Sequence, residues 1–288
     1  MAILIDESSR VVVQGITGSA GAFHAGEMKS YGTNIVAGTS PGKGGSAVHG
    51  IPVYDTVAEC VRHHRADTSV IFLPAAAVKD AVVEAVHAGI RTVVVVPEHI
   101  PIADMMLIRR EAKKYGALIL GGNTAGVISP GRANIGIIPP LAFRRGRVGT
   151  VSRSGSITYY LADTLTRAGF GETTCVGLGG DPVLGSTFDD ILMLFDGDPE
   201  TKAVVLAGEI GGVYEEIAAP TISKMSKPVI AIIGGVFAPP GKRMGHAGAI
   251  VEGEMGTAAS KIKALEAGGA HIAKTFKDIP EILSRLNV

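Results

Sequence analysis

The sequence predicts an α/β protein built around two doubly wound, mostly parallel sheets. Short β-rich apolar runs alternate with segments of helical length along the whole 288-residue chain. Several of these runs show no polar alternation, as expected of strands that are covered on both faces. The pattern loosens only at residues 123–146, and the length allows two domains of ordinary size.

The elements fall into two series on either side of that segment. In the first series the predicted strands lie at residues 10–14, 34–37, 69–73, 92–96 and 118–120, with helices at 78–88 and 103–115. In the second series the predicted strands lie at residues 148–151, 173–176, 203–207 and 228–233, with helices at 157–168, 188–195, 214–225, 258–267 and from 278. Proline and glycine pairs punctuate residues 123–146, which we therefore predict to be a linker.

The charge balance excludes several classes of protein. Lys plus Arg and Asp plus Glu each number 27, and charged residues make up only 19% of the chain against 46% hydrophobic residues. Such a composition argues against disorder, and the lack of a basic excess argues against nucleic-acid or membrane-surface partners. The apolar runs are far shorter than the ~20 residues that a membrane span needs.

The cysteines and histidines predict neither disulfides nor a metal site. Cys60 and Cys175 are the two cysteines, and they lie far apart. The N-terminus lacks the basic and apolar regions of a signal peptide, so we expect a reducing cytoplasm. None of the eight histidines belongs to an H-x-x-x-H or H-E-x-x-H pair, and we expect no metal bound by this chain.

A glycine-rich turn follows the first predicted strand. Residues 14–21 read QGITGSAG, a G-x-x-G-x-x-G variant of the dinucleotide fingerprint. Its backbone N–H groups and the helix that begins there favour a bound phosphate, although such glycines also form tight turns. No acid follows at residues 35–39 to hold a ribose hydroxyl, which argues against NAD. Lys43, in the loop PGKGG, suits an extra phosphate, such as that of CoA or NADP.

Three segments of the second series carry candidate chemistry. Ser154, in SRSGS, leaves a strand and opens a helix, which makes a pocket for an anion. His246 lies between glycines in GKRMGHAG, where two preceding cations would attract phosphate. Glu209 ends a strand in AGEIGG and is suited to accept an imidazole N–H, which would make the other ring nitrogen a nucleophile. Taken singly, these residues also fit a helix cap, an exposed histidine and a loop acid.

In combination, the motifs resemble the α subunit of the succinyl-CoA synthetase (succinate-CoA ligase) family. The resemblance covers essentially the whole chain and rests on QGITGSAGAFH, YGTNIVAGTSPGKGG, GRVGTVSRSGSITY, VGLGGDPVLGS, GEIGG and KRMGHAGAI in the family's order. It implies a Rossmann-like CoA-binding domain at residues 1–122 and a flavodoxin-like ligase domain at residues 147–288.

The resemblance also implies a role for each candidate residue. His246 would be phosphorylated and dephosphorylated in each turnover, and Glu209 would orient it. The implied CoA contacts are Thr17, Gly18, Ser19, Ala20, Lys43, Val96, Pro97 and Glu98, and the implied substrate or phosphate contacts are Asn123, Ser154, Gly155 and Tyr159. Because this chain shows no motif for a nucleoside triphosphate, the ATP or GTP and its Mg²⁺ would be bound mainly by a β subunit with an ATP-grasp domain.

Three departures from the family pattern leave the carboxylic acid open. The chain has GNTAG where the family usually has PNCPG, PEHIP where it often has TEGIP, and Tyr160 where an acid is expected. Malate and citrate are alternatives to succinate, and His99 is placed to bind their additional hydroxyl or carboxylate. A non-catalytic CoA-binding regulator and an NADP-dependent oxidoreductase are further alternatives; the oxidoreductase would leave the His246 segment without a role.

Overall fold

The computed structural model describes residues 2–237, 245–249 and 256–288. The first of its two sheets lies in the N-terminal part of the chain. The elements there are β1 (Val11–Gln14), α1 (Ser19–Tyr31), β2 (Ile35–Thr39), β3 (Ala47–Val48), β4 (Ile51–Tyr54), α2 (Val57–His64), β5 (Thr68–Ile71), α3 (Ala75–His87), β6 (Thr92–Val95), α4 (Ile102–Tyr115) and β7 (Leu118–Leu120). The strand order is β3-β4-β2-β1-β5-β6-β7, with β3 and β4 antiparallel and the other pairs parallel. Strands β1, β5 and β6 are buried throughout, which explains their unbroken apolar runs.

The second sheet follows. Its elements are β8 (Gly126–Ser129), β9 (Ala133–Gly136), β10 (Arg145–Ser152), α5 (Gly155–Arg167), β11 (Glu172–Gly177), α6 (Phe188–Gly197), β12 (Ala203–Glu209), α7 (Tyr214–Ile222), β13 (Val229–Gly234), α8 (Ala258–Ala267), β14 (His271–Ile272) and α9 (Asp278–Arg285). The strand order is β14-β13-β12-β10-β11-β8-β9, and only the pairings that involve β8 and β9 are antiparallel. The expectation of two mostly parallel α/β sheets is confirmed.

The segment that we expected to be a linker contains β8 and β9. Strand β8 pairs with β11 through Val127 and Val176, so these residues extend the second sheet. Gly126 and Gly136 face each other across the hairpin, and a Cβ on either would lie less than 3 Å from backbone atoms of the other strand. These glycines allow the two strands to approach closely. They also stand at positions where apolar side chains would have produced a recognisable strand pattern in the sequence.

Three neighbouring strands of the second sheet end at one level. Ser152 of β10 lies in register with Gly177 of β11 and with Ala207 of β12. The chain segments that follow these residues therefore leave the sheet side by side, at the edge where α/β proteins bind ligands.

The carboxyl ends of the two sheets meet through loop contacts. The N–H of Asn123 donates to the carbonyl of Pro97 at 2.7 Å, and the N–H of Gly180 donates to the carbonyl of Asn123 at 3.1 Å. The side chain of Asp181 accepts the N–H of Ile100 at 3.3 Å. The loop after β6 is thus held directly against the loop after β11. Within the described part of the chain, no helix is long and apolar enough to cross a membrane.

The buried carboxyl of Glu172 at the start of β11 gives the stability a pH dependence. Burial raises the pKa of Glu172 from 4.5 to about 8. The unfolded chain therefore releases this proton at lower pH, and stability present below pH 4.5 is lost as the pH rises towards 8. At about 1.4 kcal/mol per pH unit, the loss is at most about 5 kcal/mol.

We expect Glu172→Gln to raise the free energy of unfolding by a few kcal/mol at pH 8 and to change it little at pH 4.5. Urea unfolding at both pH values measures the difference, with Glu266→Gln on the exposed end of α8 as the control. An equal gain at both pH values would contradict the assignment.

Candidate active site

His246 and Glu209 form the polar centre of the second sheet's carboxyl edge. The ring Nδ1 of His246 donates to Oε2 of Glu209 at 2.8 Å. The histidine side chain is 27% exposed and the glutamate 9%, so the imidazole is accessible while its partner is covered. The ring lies against Gly180, where a Cβ would be only 2.6 Å from the ring Cγ. A glycine at this position therefore gives the imidazole its place beside β11.

The electrostatics of the pair suit a nucleophile that acquires charge. The hydrogen bond that His246 donates to Glu209 raises the pKa of His246 above its ordinary value, although burial and the nearby Arg153 act in the opposite direction. Because the carboxylate holds the proton on Nδ1, the other ring nitrogen, Nε2, carries the lone pair. A carboxylate in this position also stabilises the ring when Nε2 becomes bonded to an electrophile.

The N-terminus of α5 supplies donors for an anion at the same edge. The hydroxyl of Ser154 caps the helix by accepting the N–H of Ile157 at 3.4 Å. The N–H groups of Gly155 and Ser156 have no intrahelical partner, and both residues are exposed. Ser154 lies two residues beyond Ser152, just as Glu209 lies two residues beyond Ala207, so the donors lie at the same edge of the sheet as the His246 pair, on the neighbouring strand.

A buried group of charges, which the sequence pattern did not single out, lies behind Glu209. Arg153, Glu215 and Lys261 have side chains that are 1%, 0% and 0% exposed. Arg153 appeared in the sequence only as the second residue of SRSGS, and Glu215 and Lys261 lie on helices α7 and α8. For Glu215 and Lys261, the only signal in the sequence would have been a charged residue at a helix position that is expected to face the sheet.

The predicted CoA residues gather at the carboxyl edge of the first sheet. Thr17 follows β1, and its hydroxyl lies 2.7 Å from that of Ser40, which ties the glycine turn to the loop after β2. Gly18, Ser19 and Ala20 are exposed at the start of α1, where Gly18 occupies the N-cap without a side-chain hydrogen bond. The N–H groups of this helix end are therefore available to a phosphate.

Close backbone contacts require two glycines of this turn. Gly15 has a φ of +81°, and a Cβ there would lie 2.7 Å from the carbonyl oxygen of Phe72. A Cβ on Gly21 would lie 2.1 Å from the carbonyl oxygen of Gly15. These glycines pack the helix start against the strand edge, so their structural role accompanies any ligand role.

The remaining predicted contacts are distributed over both edges. Lys43 is exposed in the loop after β2, and Val96, Pro97 and Glu98 follow β6, with Glu98 exposed. Asn123 lies between the two edges through its backbone bonds to Pro97 and Gly180. Tyr159 is 37% exposed on α5. The two cations expected to precede His246, Lys242 and Arg243, lie outside the described residues.

The described thiols and carboxylates form neither a disulfide nor a metal-binding cluster. Cys60 and Cys175 are both buried and unpaired, and burial raises the pKa of each thiol. Across residues 2–237, 245–249 and 256–288, no three His, Cys, Asp or Glu side chains are grouped so as to hold a metal ion.

Two family models match the two halves of the chain. The CoA binding domain matches residues 6–99, and the CoA-ligase domain matches residues 151–271. These matches contain the glycine turn and Lys43 in the first case, and Glu209 and His246 in the second.

The chain is also similar to curated and solved proteins. Among solved structures, the ATP citrate lyase of Methanothrix soehngenii, in complex with citrate and coenzyme A, has a TM-score of 0.88 at 24% identity. It is matched over 99% of this chain and 52% of its own length, and this likeness shows the fold. An acetyl-coenzyme A synthetase of Ca. Korarchaeum cryptofilum has a TM-score of 0.71 at 21% identity over 96% of this chain and 60% of its own.

The curated relatives are closer in sequence. The ADP-forming succinate-CoA ligase subunit alpha 1 of Archaeoglobus fulgidus is 54% identical over 99% of this chain and 98% of its own length. The corresponding subunit alpha of Aquifex aeolicus is 51% identical over 99% of this chain and 95% of its own. Identity at this level over nearly the full length, together with both domain matches, shows that the chain belongs to the family of succinate-CoA ligase alpha subunits.

Proposed function

We propose that this chain is the catalytic alpha subunit of an acid-CoA ligase that works through a phosphorylated His246. The reaction is succinate, CoA and a nucleoside triphosphate to succinyl-CoA, the diphosphate and phosphate, with ATP as the nucleotide because the relatives are named ADP-forming. The observation that carries the proposal is the 2.8 Å contact between Nδ1 of His246 and Glu209, beside the open N-terminus of α5.

The first step is phosphoryl transfer to the imidazole. Nε2 of His246 attacks the γ-phosphorus, the bond from that phosphorus to the bridging oxygen breaks, and the diphosphate leaves with the electron pair. The proton on Nδ1 stays in its hydrogen bond to Glu209, whose charge stabilises the modified ring. The phosphoryl group brings about two negative charges, which the N–H groups at the start of α5 are placed to offset.

Two transfers complete the turnover. A carboxylate oxygen of the acid attacks the phosphorus and breaks the P–N bond, which gives an acyl phosphate and returns the imidazole to its neutral form. The CoA thiolate then attacks the acyl carbon, the C–O bond to phosphate breaks, and inorganic phosphate leaves. The contacts between the loops after β6 and β11 support a transfer between the two edges, since Gly180 donates to Asn123 and also lies against the ring of His246.

The nucleotide, its Mg²⁺ and a second chain complete the enzyme. We assign the triphosphate and the metal mainly to a β subunit with an ATP-grasp domain, because the sequence contains no motif for a nucleoside triphosphate. Mg²⁺ would neutralise charge on the transferred phosphate. The relatives are named as alpha subunits, which implies a partner chain. Two unpaired, buried thiols fit a reducing cytoplasm.

We expect radiolabel from the γ-phosphate of ATP to appear on this chain as an acid-labile, base-stable phosphate in the presence of the β subunit. His246→Asn removes the label completely, and Glu209→Gln slows its appearance at least tenfold because the amide oxygen is an uncharged, weaker acceptor for Nδ1–H and does not stabilise a positively charged ring. Label that persists on the His246→Asn chain would contradict the assignment of the nucleophile.

Lys43→Met tests the CoA edge. We expect the KM for CoA to rise about tenfold, because one charge-assisted phosphate contact is lost, while labelling of His246 is unchanged. The KM for dephospho-CoA, which lacks the 3′-phosphate, should stay the same in the variant. Lys113→Met, on the exposed surface of α4, is the matched control.

Tight NADPH binding by the unmodified chain would favour the oxidoreductase alternative instead.

The acid substrate is tested by turnover with succinate, malate and citrate at equal concentrations in the assembled enzyme. We expect a succinate preference of at least tenfold. A preference for malate or citrate that disappears in His99→Ala would instead assign the additional hydroxyl or carboxylate to His99, whose side chain is 61% exposed beside Glu98.

A further inference from the structure

Arg153 has the largest fully buried side chain among the described residues. Its guanidinium takes no part in the reaction steps above. Arg153 follows β10 immediately before the Ser154 cap, but its side chain turns inward and is 1% exposed. It lies over the ring of Tyr214, with 5.6 Å between the guanidinium carbon and the ring centre. A cation this deeply buried requires nearby negative charge.

Two carboxylates provide that charge. Nη2 of Arg153 lies 3.4 Å from Oε1 of Glu209, and Nη1 lies 3.7 Å from Oε1 of Glu215. Nη1 also donates to the carbonyl of Gly211 at 2.9 Å. Arg153 therefore contacts the oxygen of Glu209 that faces away from His246, while the other oxygen accepts the imidazole N–H.

Glu215 and Lys261 hold the backbone of the same segment. Oε1 of Glu215 accepts the N–H of Glu209 at 3.0 Å, and Oε2 forms a buried ion pair with Nζ of Lys261. Nζ of Lys261 also donates to the carbonyl of Gly211 at 2.8 Å. Arg153 and Lys261 thus both donate to the carbonyl of Gly211, while Glu215 accepts the N–H of Glu209, so the backbone at residues 209 and 211 is held by buried charged groups.

The contacts of Arg153 do not complete its hydrogen bonding. Within the described residues, Nε and Nη2 of Arg153 and Oε1 of Glu209 form no hydrogen bond, because the 3.4 Å contact is an ion pair without hydrogen-bond geometry. A buried donor without a partner is unfavourable for stability. The arginine is therefore poorly explained as a stabilising core residue and is better explained by its effect on Glu209.

We propose that Arg153 is a positioning residue for phosphoryl transfer: its guanidinium orients and charge-balances Glu209, which in turn holds Nδ1–H of His246 and presents Nε2 to the phosphate. The inference rests on the proposed function and names the residue that supports its central hydrogen bond. Lys261 and Glu215 support the same segment from the other side.

The charges around His246 give this role a distinct signature. Glu209 at the end of β12 and Asp181 after β11 raise the pKa of His246, whereas Arg153 after β10 lowers it. Removal of the arginine should therefore raise the pKa of His246 further and leave more of the ring protonated at neutral pH. A protonated imidazole has no lone pair on Nε2 and cannot attack phosphorus.

The test uses the assembled enzyme with its β subunit and measures the single-turnover rate of His246 phosphorylation from pH 5.5 to 8.5. We expect Arg153→Met to lower the rate of His246 phosphorylation at pH 7 at least tenfold. The acid limb of the profile, where the rate falls as the imidazole becomes protonated, should move to a pH about one unit higher. The KM for ATP should be unchanged, since the nucleotide is assigned to the other chain. Arg132→Met is the control, because it removes an arginine paired to Glu200 at the opposite edge of the sheet. It should change neither the phosphorylation rate nor the pH of the acid limb.

Arg153→Lys keeps the inference testable if the methionine variant does not assemble. The lysine retains the charge but cannot reach both carboxylates, so we expect the acid limb at its original pH and a rate reduced at least threefold. A uniform loss of rate in Arg153→Met with an unmoved limb, or a full rate in Arg153→Lys, would overturn the inference. Absence of label on the unmodified enzyme would instead overturn the proposed function.

Discussion

The contact between the carboxyl edges of the two sheets is the constraint on which the site depends. In parallel sheets all strands end towards the same side, so each sheet has one edge that is rich in loops and helix N-termini. Here the edges face each other, and Asn123 and Asp181 connect them through bonds to residues 97 and 100. The glycine turn after β1 and the imidazole therefore lie on edges that these loops join, although the two are more than 200 positions apart in the chain.

The position and tautomer of the imidazole depend on Glu209 and on the buried charges around that carboxylate. The backbone N–H of Glu209 is held by Glu215, and its carboxylate lies beside Arg153. Helix α7, which carries Glu215, packs against α8, and α8 packs against β13. Such an arrangement separates two requirements. The accessible ring is left open to the phosphate, while the charges that set its tautomer are held in a rigid, water-poor environment where their interaction is strong.

Much of the fold and the separate pieces of the site followed from the sequence pattern. The apolar runs of β1, β5, β6, β12 and β13 predicted buried parallel strands, and the glycine turn, Ser154, Glu209 and His246 were all recognised. The hairpin of β8 and β9 was missed, because its glycines replace the side chains that produce a strand pattern. Glu215 and Lys261 were missed because a charge on a helix looks exposed until its burial is known. Arg153 was missed because it lies between β10 and α5, where a charged side chain usually faces the solvent.

By itself, the sequence determined the periodicity of the elements, the turn chemistry and the kinds of reactive side chain available, because these depend on neighbouring residues. The tertiary structure decided which of them meet. Strand order brings β10 and β12 side by side, and only that pairing sets Ser154 beside Glu209 and buries Arg153 between two carboxylates. The contacts of Arg153 with Glu209, Gly211 and Glu215 each span more than 50 residues of chain, where the local pattern carries no information about direction or distance.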